Sequence, residues 1–284
     1  MFKKIFFAAA LLLASELGAK PVVIASIAPV EYLAKAVGGD KIEVQSLAKG
    51  DVHSYEPKPN DMKAVAKARI FIAAGLEFEE AWIPRFKASA KNLVVVKSDA
   101  KIAKLKEERG EQAEHDEKHE AHADPHVWLN PMLAITMARN ISDALIDMDK
   151  ANKDFYLENF QKLMNDLLAF DESAKESLAG LKNRKFVVYH PAWGYFAAHY
   201  DLEQISIERS GKEPKIDEMA STVKMIKDEN IKVIFADPNR SQKSAQILAS
   251  QTGAKVELLD PLGYNLLENL KIAVGAIKDA NSPK

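Results

Sequence analysis

The chain reads as an α/β protein built from two parallel-sheet lobes joined by a long, rigid connector helix. Three observations predict this. Eight short β-rich runs alternate with helical stretches, which is the order of βα units. Several of the runs are continuous Val/Ile/Leu segments, as expected of strands covered on both faces of a parallel sheet. A long segment without Pro or Gly separates the first four runs from the last four.

The first set of strands is expected at Val22–Ile27, Ile42–Leu47, Ile70–Ala74 and Leu93–Val96, within an N-terminal lobe over 20–150. Pro131 and the MLAITMARNISDALIDM that follows suit a helix with Pro in its first turn. The connector is expected over 151–180. Phe155, Phe160, Leu163, Leu167, Phe170 and Leu178 recur there at near-helical spacing, ending at Gly180. Roughly 27 helical residues at 1.5 Å each span about 40 Å, more than one lobe needs. The second set of strands is expected at Phe186–Tyr189, Gln204–Ile207, Val233–Ala236 and Val256–Leu259, within a C-terminal lobe over 181–284.

The bulk numbers describe a soluble globular protein: 284 residues, 47% hydrophobic and 28% charged. A net charge of −2 excludes strong attraction to nucleic acid or an anionic membrane surface. Residues 1–19 differ from the rest. Lys3 and Lys4 precede an apolar run from Ile5 to Ala14 and then small residues, the order of a secretory signal peptide, with cleavage expected after Ala19. The run is short for a membrane span. The chain has no cysteine, so no thioether lipid anchor and no thiolate ligand is expected. The mature chain should therefore be a soluble periplasmic monomer, and any metal site in it must use nitrogen and oxygen.

Metal enters through the histidines. Four of the seven, His115, His119, His122 and His126, fall within twelve residues. The surrounding acidic stretch 107–124 lacks periodicity and reads as a loop. Neutral imidazole is the commonest protein metal ligand, and short His-rich tracts read as metal-binding. His53 follows the second strand through a short loop carrying Gly50. His190, Asp237 and Asp260 stand at the carboxyl ends of strands, where open α/β sheets bind ligands. Three imidazoles and a carboxylate form a tetrahedral N/O set suited to Zn²⁺.

The segments GDVHSYEPKPNDM, DPHVWLNP, KFVVYHPAWGYFAAHYDLEQI, IKVIFADPNRS and LLDPLG resemble the successive signature blocks of the metal-receptor proteins of ABC importers, the cluster A-I solute-binding proteins. The match is to the zinc branch and covers nearly the whole mature chain. The resemblance implies two lobes on the rigid connector helix with a metal site in the cleft between them, and a high-affinity Zn²⁺ receptor that delivers its ion to a membrane permease. It places His53 and His126 as ligands from the N-terminal lobe, and His190 and Asp260 from the C-terminal lobe. Manganese and iron members tend to carry Glu where His190 stands, so His190 favours zinc over a manganese or iron receptor. Relatives more often show Glu where Asp237 stands, and Asp237 is assigned no ligand role. Asp260 is not used by every zinc member, since water or a nearby carboxylate can replace it. His115, His119 and His122 are expected to form a weaker auxiliary site on the loop.

A secreted zinc hydrolase is the rival from another class. It lacks support: after His119-Glu120 an H-E-x-x-H motif requires His where Ala123 stands, and no G-x-S-x-G or Gly-rich phosphate loop is present. A surface adhesin would want an anchor that the chain lacks. The expectation is a receptor and not an enzyme.

Overall fold

The computed structural model describes residues 19–50, 52–106, 123–208 and 216–281. The signal-like segment up to residue 18 and the loop histidines His115, His119 and His122 lie outside the described residues. Four parallel strands, β1 (Val22–Ala25), β2 (Glu43–Ser46), β3 (Ile70–Ala73) and β4 (Val94–Lys97), form the first sheet in the order β2-β1-β3-β4. A second set, β5 (Lys185–Val188), β6 (Glu203–Ser206), β7 (Val233–Ala236) and β8 (Lys255–Leu258), repeats the permutation as β6-β5-β7-β8, again all parallel. All eight strands expected from the sequence are present, most with ends shifted by a residue or two. The switch points fall between β1 and β3 and between β5 and β7, so the two crevices lie at the carboxyl ends of those central strands.

Helices α1 (Ala28–Gly38), α2 (Pro59–Val65) and α3 (Glu77–Ser89) complete the first set of βα units, and α4 (Pro131–Met148) follows. Pro131 occupies the first turn of α4, where its missing N–H is harmless, and the Asn130 side chain accepts from the Met132 and Leu133 amides. Helix α1 stops at Gly39, whose φ of +55° suits glycine; a Cβ there would also stand 2.8 Å from the Phe155 ring. The second set of units carries α6 (Gly194–His199), α7 (Ile216–Asp228), α8 (Lys243–Thr252) and α9 (Leu266–Asn281).

The connector is α5, Lys153–Ala179, 27 residues long. Tyr156, Phe160, Leu163, Leu167, Phe170, Ala174 and Leu178 recur every three or four residues and are all buried. That stripe packs against α1 and α4 on one side and α9 on the other, so a single apolar core runs from Val30 and Leu33 through α5 to Phe196, Leu266 and Leu270. Polar stitches reinforce it. In the 3₁₀ turn Val127–Leu129, fully buried Trp128 donates its indole N–H to the Pro261 carbonyl at 2.8 Å. The Tyr195 hydroxyl donates to the Asp124 carbonyl and accepts from the Leu105 amide, both at 2.8 Å. A continuous core and three bonds across the cleft leave little freedom for the wide hinge closure of loosely joined lobes.

Asp171 ties α5 to α6. Its carboxylate, buried in the interface, bonds Lys175 at 2.7 Å and the His199 ring at 2.6 Å. Burial opposes its ionisation, but the bonds from Lys175 and His199 outweigh that and hold the carboxyl below the usual aspartate range. An acid with a depressed folded pKa contributes stability above its unfolded value, near 3.9, and loses it as pH falls through the folded value. Asp171→Asn is expected to lower stability at neutral pH by about 1–3 kcal/mol. The gap from the parent should close below about pH 4, as read from urea midpoints along a pH series.

Among the described residues no helix is long and apolar enough to cross a membrane. Lys106 and Ala123, on either side of 107–122, form an antiparallel bridge, and the Asp124 amide donates to the Leu105 carbonyl.

Candidate metal centre

Three loops deliver one imidazole each. Beyond β2, the Leu47 and Ala48 amides continue the pairing onto Ala25 and Ser26, and Gly50 then turns the chain at a φ of +85°. Buried Val52 anchors the turn and His53 projects from it into solvent contact. His126 enters from the segment preceding the 3₁₀ turn and α4. His190 follows β5, the central strand of its sheet, two residues beyond the strand's end. The ring centroids of His53, His126 and His190 are 5.0–5.6 Å apart, and one nitrogen from each lies within 4.8 Å of the others. His126 and His190 are buried and His53 is exposed.

Two of the rings are held in a fixed orientation. Asp124 Oδ1 bonds both the His126 amide, at 2.9 Å, and its Nδ1, at 2.8 Å. Glu208 Oε2 stands 3.1 Å from His190 Nδ1, and Arg240 in turn donates to both Glu208 oxygens at 2.9 Å. A carboxylate against Nδ1 sets the tautomer with its proton there, which directs the Nε2 lone pair toward the ligand and raises its basicity. Gly194 leaves room for the arrangement, since a Cβ at that position would come within 3.1 Å of Asp124 Oδ2. Zn–N distances near 2.0–2.1 Å would draw three tetrahedral nitrogens to about 3.4 Å from each other, a short contraction of the present cluster.

The two aspartates of the C-terminal half are placed differently from one another. Asp260, expected as a fourth ligand, lies outside the cluster of three imidazoles. Its Oδ1 accepts from the Leu262 amide and from Asn239 Nδ2, both at 2.9 Å, so it acts as a turn former for the loop after β8. Asp237, to which the sequence assigned no role, is only 7% exposed and lines the same cavity as His53, His126, His190 and Arg240. Burial, with the neighbouring charge of Asp260 adding to it, pushes the Asp237 carboxyl above the usual aspartate range against the bonds from Asn239.

Sequence reasoning passed over Asp124, Glu208 and Arg240. Asp124 sits two residues before His126 within the DPH triplet, and Glu208 lies at the carboxyl end of the β6 strand; the strand-end rule that singled out His190 reaches Glu208 as well. Nothing local marks Arg240. Asp124→Asn is expected to weaken metal binding about 10- to 100-fold while leaving the fold intact, since the amide oxygen still accepts from the backbone. Chelator competition together with a urea midpoint reads both effects.

Two parallel-sheet lobes fixed on one long helix, with imidazoles from both halves converging between them, define a two-lobed receptor for a metal ion. The chain belongs to the family described as zinc-uptake complex component A, periplasmic, whose model matches residues 23–280. It is 30% identical to the high-affinity zinc uptake system protein ZnuA of Bacillus subtilis (strain 168), covering 93% of this chain and 88% of that one. It is 29% identical to the zinc-binding lipoprotein AdcA of Streptococcus pneumoniae serotype 4, of which it spans half. A crystal structure of ZnuA matches with a TM-score of 0.87 at 35% identity, over 93% of this chain and all of that one. A ZnuA deletion mutant lacking 138–173, with zinc bound, matches with a TM-score of 0.86 at 34% identity, over 93% of this chain and 99% of that one.

Proposed function

We propose that this chain is the zinc receptor of an ABC importer, a soluble periplasmic monomer that captures Zn²⁺ and passes it to the membrane permease. The observation that carries the reading is the convergence of His53, His126 and His190, two of them oriented by carboxylates. Imidazole nitrogen without thiolate suits a borderline cation such as Zn²⁺ better than Mn²⁺, which prefers oxygen. The burial pattern supplies an order of events: exposed His53 meets the ion, and the buried pair His126 and His190 completes its desolvation. Residues 1–19 act as the export signal, and His115, His119 and His122, in the sequence between Lys106 and Ala123, supply a weaker capture site.

The test is metal analysis of the purified mature chain. One tight zinc equivalent is expected, with no turnover of ester or peptide substrates. Removing 107–121 should abolish additional weak equivalents and spare the tight one. A tight site lost with that segment would overturn the division into two sites.

Ligation requires neutral imidazole, so protons compete with the ion. Each ring that must shed a proton on binding weakens affinity by up to about tenfold per pH unit once the pH is low enough to protonate it. Zinc affinity is therefore expected to fall by roughly a thousandfold or more between about pH 7.5 and pH 5, as chelator competition would read. Constant affinity across that range would rule out a three-imidazole site.

A further inference from the structure

We propose that Asp237, and not Asp260, completes the zinc site by accepting a hydrogen bond from a water bound to the metal as its fourth ligand. This rests on the zinc-receptor reading above. Three buried carboxylates serve the site: Asp237 lines the cavity, and Asp124 and Glu208 bond two of its imidazoles. Asp124 and Glu208 each hold the Nδ1 of an imidazole. Asp237 holds neither ring and faces the cavity directly from the end of β7, the strand paired with the one that carries His190.

The bonding of Asp237 leaves it suited to such a water. Its Oδ1 accepts from the Asn239 amide at 2.7 Å, the Asn239 side chain bonds the carboxyl as well, and the Arg240 Nε stands 3.9 Å from its Oδ2. A buried carboxylate without a close hydrogen-bonded cation is costly, and a water polarised by a dication offsets that cost. Charge balance points the same way. Among the described residues, the three buried carboxylates against the Arg240 guanidinium leave two negative charges in excess, which match Zn²⁺ among neutral imidazoles. Asp237 lies outside the set of ligand atoms that close on one point, so a bridging water spans the distance that a direct bond would not. Asp260, by contrast, is held to its own loop by both the Leu262 amide and the Asn239 side chain and does not line the cavity.

The experiment compares Asp237→Asn and Asp260→Asn in the full mature chain, with Zn²⁺ and Co²⁺ as probes and His190→Ala as reference. Asp237→Asn is expected to weaken zinc about 10- to 100-fold and to alter the visible Co²⁺ absorption at saturating metal, whereas Asp260→Asn stays within about threefold and keeps the parent spectrum. A purely structural role for Asp237 would move the urea midpoint and leave the Co²⁺ spectrum unchanged. Should the amide variant fold poorly, Asp237→Ser, whose hydroxyl still accepts from Asn239, carries the same test. An Asp237 variant within about threefold of the parent, an unchanged Co²⁺ spectrum, or an equal loss in Asp260→Asn overturns the proposal. If His190→Ala itself keeps tight zinc, the zinc-receptor reading fails; if only the Asp237 arm fails, that reading stands.

Discussion

Replacing His190 with alanine is expected to lower zinc affinity by about two to three orders of magnitude. Structural zinc sites bind with roughly 10–16 kcal/mol spread over four ligands, about 2.5–4 kcal/mol for each. His190 is the ligand whose loss has the fewest substitutes. It is the only imidazole that the C-terminal half contributes to the cluster, and it is buried, so a water replacing it must enter the core of the cleft. Its removal also strands the Glu208–Arg240 pair that orients it. The pair remains mutually bonded, so the fold should survive and the loss should be confined to the metal. Chelator competition and a zinc-free urea midpoint separate the two effects. Retention of parent affinity within about tenfold would remove His190 from the site, since that is less than one ligand is worth.

Trp128→Ala is expected to destabilise the protein by about 3–5 kcal/mol, the range for a large aromatic side chain removed from a closed core. Trp128 is fully buried, and its indole N–H bonds Pro261 across the cleft. The truncation therefore opens a cavity and leaves a carbonyl unsatisfied in the same step. The effect should extend to metal, because the Trp128 ring packs 5.3 Å from that of His126 and backs the ligand loop. Trp128→Phe isolates the hydrogen bond: it keeps much of the packing and is expected to cost about 1–2 kcal/mol. Urea unfolding of the metal-free variants reads both. A loss below about 1 kcal/mol for Trp128→Ala would mean that the lobes do not depend on this contact.

The parts of the fold that were legible in the sequence are those set by local pattern. The apolar runs at Val22, Ile70 and Val233 read as covered strands because the residues pack on both sheet faces. The connector was legible for the same reason: its apolar stripe repeats at the helical period for 27 residues. The imidazoles stood out because histidine is scarce in this chain and because βα units bring strand ends to one edge.

What the sequence by itself determined is the α/β class, the paired sets of strands, the connector and the three histidines that converge. Tertiary structure alone decided which polar groups serve them. Glu208 reaches His190 from a neighbouring strand, Arg240 fastens Glu208 from 32 residues away, and Trp128 meets Pro261 across 133 residues. It also separated Asp237 from Asp260. The two look alike in sequence, each an Asp before Pro at the end of a strand, and each caps its own turn through the amide two residues on, yet of the two it is Asp237 that is buried against the cavity. The physical reason is range. Periodicity and strand-end position are properties of neighbouring residues, whereas a hydrogen bond to a ligand's far nitrogen depends on how distant segments are brought together by packing.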